Sequence, residues 1–222
     1  MTWHIDSRYD FSIPEAQWLA DLCGVGSDLD SVIRLCKTVT TGAERLIRKP
    51  EEDALGWFDD IQMVGDLAFA AVIRYGRTLT SGIRDGIPRE WIEELPAELK
   101  EAHNYFKTLR DKYIAHSVNA LEDNQVFVFL KPQFSDAQEP SAITVDRGRL
   151  IAPGLKEIAL LSEIATCLKQ RVETEVASES ARILEIARNM PIDEIRMRSK
   201  ESLPIPGKQE TFQPRSKFKN GS

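Results

Sequence analysis

From Leu155 to about Asn189 the chain runs LKEIAL LSEIATCLKQ RVETEVASES ARILEIARN, and Ile158, Leu161, Ile164, Ala165, Leu168, Val172, Val176, Ile183 and Ile186 recur three, four or seven residues apart. At 3.6 residues per turn, this spacing lines one face of a helix with apolar side chains. The stretch predicts one long helix, or two in series, starting behind Pro153 and Gly154. A helix of that length with a single apolar face needs other helices to cover it, so the fold class is mainly α, a helical bundle.

Working toward the N-terminus, the same spacing recurs. Leu29, Val32, Ile33, Cys36, Val39, Ala43, Leu46 and Ile47 define a helix capped by Asp28 and stopped by Pro50. Ser12, Pro14 and Glu15 open a shorter first helix, which Gly24 and Gly26 are expected to end near Cys23. From about Glu52 to Leu79 apolar residues lie nearly all round, as a central helix touched on several sides requires. Gly82, Gly86 and Pro88 make a loop, a short helical turn surrounds Trp91, and Pro96 starts a helix running from about Ala97 to His116. After Asn119 the period becomes extended, over Gln125 to Lys131 and Ala142 to Asp146, which predicts a β-hairpin. The expected architecture is a bundle of about five main helices with a small β-hairpin inserted between the fourth and fifth. Its domain spans 1–190 with the insert at about 125–147, and 191–222 form a basic, Pro-containing tail without its own core, expected to be disordered.

The chain has 222 residues and 25.1 kDa, with 42% hydrophobic and 29% charged residues, an ordinary composition for one globular domain. The longest apolar run, Leu67 to Ile73, is far too short to span a bilayer. The first residues lack the pattern of a secretion signal, so a cytoplasmic location without membrane contact is expected. Cys23, Cys36 and Cys167 lie far apart and make no zinc-type cluster with His4, His103 and His116, so neither a disulfide framework nor a metal or other cofactor is expected. The net charge of −6 divides unevenly, with −11 on residues 1–195 and +5 on the remainder. An acidic body argues against indiscriminate coating of nucleic acid and leaves room for a small basic site.

Phosphate-binding glycine loops, dinucleotide fingerprints, nucleophile elbows and the His-Glu-x-x-His zinc motif are all absent. Acidic runs such as Glu51 to Asp53 and Asp59-Asp60 read as solvated charges at a helix start. The four tryptophans are scattered and make no base-stacking platform. One constellation differs: Arg110, Asp111, Lys112 and His116 fall within seven residues at a helix C-terminus. The helix dipole favours protonated His116 and Lys112, one turn earlier, disfavours it, a balance that suits proton transfer near neutrality. Arg110 adds a planar cation suited to phosphate.

The run Leu109-Arg110-Asp111-Lys112-Tyr113-Ile114-Ala115-His116 resembles the R-x(4–6)-H signature of HEPN domains, with the polar residue that the family favours directly after the arginine. The likeness is to HEPN proteins of the abortive-infection type, and Ala71 to Arg77 with Ser81 to Arg84 resembles their central helix, so it extends over roughly Glu52 to Asp123. The resemblance implies a metal-independent endoribonuclease, a toxin or phage-defence effector, acting as a homodimer on RNA and kept in check by an antitoxin or defence partner. Carried onto this chain, Arg110 binds the scissile phosphate, His116 moves protons as the RNA 2′-hydroxyl attacks, and Asp111 orients one of them. The products are a 2′,3′-cyclic phosphate and a 5′-hydroxyl. Lys112, His103 and Lys107 are the candidate substrate-binding residues, the last two sharing a face with Arg110.

On an ideal helix Arg110 and His116 point about 120° apart and lie about 9 Å apart along the axis, so one phosphate reaches both only across two protomers or through an irregular last turn. The alternative is a non-catalytic HEPN dimerisation or nucleotide/RNA-binding module, with His116 packed against Leu109 and Tyr113. A purely structural role predicts that Arg110 pairs with a carboxylate of its own chain. Arg74, Arg77 and Arg84 are expected to serve in structural ion pairs.

Overall fold

In a computed structural model the described residues are 9–48, 54–79, 83–114, 125–130, 140–146, 152–198 and 217. Three long helices carry the core: α1 (Gln17–Arg48), α2 (Ala54–Thr78) and α5 (Leu155–Arg188), with α1 packed along both of the others. Their apolar faces meet through Leu22, Leu29 and Val32 of α1, Ala71, Val72 and Tyr75 of α2, and Ile158, Leu161 and Ile164 of α5. Burying each such Leu or Ile is worth about 1.5–3 kcal/mol, and this row of contacts decides which helix faces turn inward. The short α3 (Arg89–Glu93) and α4 (Ala97–Thr108) close the bundle with Trp91, Leu99, Ala102 and Phe106. A π-helical turn over Leu109–Ile114 continues α4, and α6 (Ile192–Met197) follows α5. No described helix is long and apolar enough to cross a membrane.

Strands β1 (Gln125–Leu130) and β2 (Pro140–Asp146) form the antiparallel hairpin, with Gln125 opposite Asp146, Phe127 opposite Thr144 and an irregularity between Phe129 and Leu130. Val126, Val128, Phe127 and Phe129 are all exposed, so neither face of β1 is covered by the described residues.

The predicted mainly α bundle with an inserted hairpin is present, and α5 is one helix rather than two. The N-terminal expectation needs correction, because a single 32-residue helix runs straight through Gly24 and Gly26. A Cβ on Gly24 would stand 3.2 Å from Nη1 of Arg84, and one on Gly26 would stand 3.4 Å from Val172. Close packing at Gly24 offsets its helix-propensity cost of about 1 kcal/mol, whereas Gly26 stands at an ordinary van der Waals distance and its cost is carried by the helix as a whole. Asp28 is no cap but a buried carboxylate that accepts hydrogen bonds from Arg74 at 3.0 Å and Arg84 at 2.8 Å, with Arg77 at 3.5 Å. Ser12 does not cap either: its hydroxyl donates to Asp10 at 2.6 Å, and a 3-10 turn over Pro14–Ala16 leads into α1. The predicted helix ending near His116 leaves α-helical geometry at Thr108. The tail begins with α6, which buries no residue, and 199–216 lie outside the described residues.

Candidate functional site

Pro96 precedes α4, whose inward face carries Leu99, Ala102, His103 and Phe106, three or four residues apart. Leu109 extends that buried face by three residues, and there the helix opens into its π turn. A π turn houses one more residue than the α-helical turn it replaces, and such turns occur frequently at functional sites. Here it coincides with Leu109-Arg110-Asp111-Lys112-Tyr113-Ile114, the segment that carries the arginine motif.

Arg110 lies across α2 at Gly76. A Cβ on that glycine would stand 2.9 Å from Cγ of Arg110 and 3.1 Å from its Cδ and Nε, so only glycine lets the side chain pass in this position. The guanidinium then emerges to solvent, with 39% of the side chain exposed, and Nη1 donates to Oδ1 of Asp111 at 2.7 Å. Lys107 approaches the second oxygen of Asp111 at 3.4 Å. The Arg110 hydrogen bond first, and Lys107 after it, hold the Asp111 carboxyl below the usual carboxylate range against a smaller opposing effect of burial. Two cations therefore share one carboxylate, and the group keeps a net positive charge, with most of the guanidinium N–H groups unengaged among the described residues.

The other candidates separate. Lys112 is exposed on the π turn. His103, a candidate substrate-binding residue expected to share a face with Lys107 and Arg110, is instead buried at 7% exposure, its Nδ1 2.6 Å from the Tyr75 hydroxyl. The reason is its place between Leu99 and Phe106 on the inward face of α4, where the buried phenol needs a polar partner. Burial, and secondarily Lys107, push the His103 imidazole below its ordinary value, toward the neutral form. His116 lies outside the described residues, so Arg110, Asp111 and Lys107 are the candidates seen together. Arg74, Arg77 and Arg84 gather around Asp28, as structural ion pairing requires.

Local pattern singles out neither Tyr75 nor Gly76, the two α2 residues that shape this region. The one available signal was a glycine interrupting the apolar run of a central helix, which often marks close approach of a neighbour. Comparison with protein-family models, with curated proteins and with solved structures finds no match for the chain.

Proposed function

We propose that the chain is a metal-independent endoribonuclease of the HEPN type, using Arg110 and His116. The observation that supports it best is the half-exposed Arg110 guanidinium, fixed by Asp111 at 2.7 Å beside Lys107 in a π turn. A guanidinium held at one edge and open at the other is suited to the two oxygens of a phosphodiester. In the reaction, the RNA 2′-oxygen attacks phosphorus and the bond to the 5′-oxygen breaks. A base removes the 2′-hydroxyl proton, an acid supplies one to the leaving oxygen, and Arg110 stabilises the charge that builds on the phosphoryl oxygens. His116 is the group for the proton steps, with its counterpart in a second protomer completing a homodimeric site. Lys107 and Lys112 attract the RNA backbone. On this reading the protein works in the cytoplasm as a toxin or phage-defence effector, restrained by an antitoxin or defence partner.

A second reading draws on the same contact. Arg110 pairs with Asp111, a carboxylate of its own chain, which is the contact expected of a purely structural role, and a non-catalytic HEPN module that binds RNA or nucleotides, or only dimerises, also accommodates it.

Cleavage of a mixed RNA pool in EDTA by the wild type, Arg110→Ala and His116→Ala separates the two. The expected result is 2′,3′-cyclic phosphate ends from the wild type and a loss of roughly 10²-fold or more in each variant. If all three stay folded and bind RNA without cutting it, the module reading replaces the enzyme.

A further inference from the structure

The buried pair Tyr75–His103 takes no part in the proposed cleavage. Tyr75 is 1% exposed, and its hydroxyl has a single partner among the described residues, Nδ1 of His103. Burial pushes the phenol up, so the hydroxyl keeps its proton, while burial and Lys107 push His103 down, toward the neutral imidazole. A buried hydroxyl needs an acceptor, and Nδ1 is the one within reach, so Tyr75 donates and the imidazole proton sits on Nε2. That N–H is directed away from Tyr75 and has no acceptor among the described residues.

His103 lines a cleft of about 530 Å³. Its polar walls are Arg89, Lys100, Asn104 and Lys107, with Glu93 as the one acid. Glu93 is already engaged, since its carboxylate accepts from Arg89 at 2.7 Å and its carbonyl from Lys100 at 3.2 Å. Leu79, Ile87 and Ile92 supply an apolar wall. Three cations thus face one carboxylate around a neutral N–H donor, in a chain whose net charge is −6. A water molecule would satisfy the N–H alone, whereas an anion with several acceptor oxygens satisfies the N–H and the ammonium groups together.

We infer that this cleft binds a nucleoside monophosphate: Lys100 and Lys107 hold phosphate oxygens, His103 Nε2–H donates to one of them, and Leu79, Ile87 and Ile92 cover the nucleoside. The volume lies in the range of small-ligand pockets. Neither Arg110 nor His116 is needed, so the inference stands or falls separately from the ribonuclease reading. The two regions nevertheless meet at Lys107, which also approaches Asp111 at 3.4 Å. A ligand that draws Lys107 into the cleft leaves Asp111 more fully to Arg110.

The test is a titration of the full chain, labelled with ¹⁵N at its three histidines, with inorganic phosphate, adenosine monophosphate and an RNA oligomer lacking terminal phosphates. His4→Ala and His116→Ala leave the His103 signals by elimination. The expected result is a saturable shift of His103 Nε2 with phosphate and with the monophosphate, the latter binding several-fold more tightly. Lys100→Ala should weaken the monophosphate about tenfold at unchanged helix content, and Arg110→Ala should leave it within about twofold. No His103 shift up to about 20 mM monophosphate overturns the proposal, as does equal weakening by Arg110→Ala, which assigns the phosphate to the Arg110 region. A His103 response to the oligomer alone makes the cleft part of an RNA path instead.

Discussion

Adding one methyl group at residue 76 separates the helix from the site it carries. Ala is the better helix former by about 1 kcal/mol, yet its Cβ would press on Cγ of Arg110 at 2.9 Å, too near the root of that side chain for the tip alone to swing away. Gly76→Ala, with the clash set against the propensity gain, is therefore expected to cost up to about 2 kcal/mol of stability while lowering RNA cleavage about tenfold or more, read by urea unfolding beside the cleavage assay. A loss of fold with the activity would assign Gly76 to packing only. His103 makes a prediction of a different kind. Its imidazole is held below the ordinary 6.5, so at mildly acid pH the unfolded chain takes up a proton that the folded chain refuses. Its contribution to stability is complete above 6.5 and declines as the pH falls through that value. The urea midpoint should drop between pH 7 and pH 5, with a shallower drop in His103→Gln; an identical slope in that variant would assign the effect to other groups. The juxtaposition of Arg110 and Asp111 was legible from their adjacency in the chain, whereas the burial of His103 depends on Tyr75, 28 residues away.

At the scale of elements, periodicity revealed α2, α5 and the hairpin because each repeats one spacing over many residues. It failed at Gly24 and Gly26, where a local pattern suggests an end and the deciding contacts come from Arg84 and Val172, far along the chain. The π turn was equally hidden, since nothing in Leu109-Arg110-Asp111-Lys112 distinguishes a wide turn from an ordinary one. The α1 glycines allow a graded test of packing. A Cβ on Gly26 meets Val172 at an ordinary 3.4 Å, so Gly26→Ala should stabilise the protein by about 0.5–1 kcal/mol. A Cβ on Gly42 would stand 2.8 Å from Val64 of α2, so Gly42→Ala should destabilise by about 1–3 kcal/mol. Thermal unfolding of the pair checks the order, and equal shifts would mean that α1 and α2 do not approach this closely.

For the whole molecule, the division of charge into −11 on residues 1–195 and +5 on residues 196–222 makes ionic strength informative. If RNA is held at the Arg110 region by Arg110, Lys107 and Lys112, about three phosphates are neutralised, and the logarithm of affinity should fall with the logarithm of salt at a slope near −2. A slope steeper than about −5 would show that the tail's cations take part, and filter binding across a salt series reads it directly. The wide turn after Thr108 bears on the molecule's tolerance to changes in chain length. Deleting one residue from α4 itself would rotate every later side chain by about 100° and turn its buried face outward. Within 109–114 the same deletion removes the surplus residue and returns this turn to the ordinary ladder, in phase with α4 before it. The bundle can therefore absorb the loss of one residue at the point where its arginine motif sits, and the lost residue would alter the motif's spacing before it altered the fold.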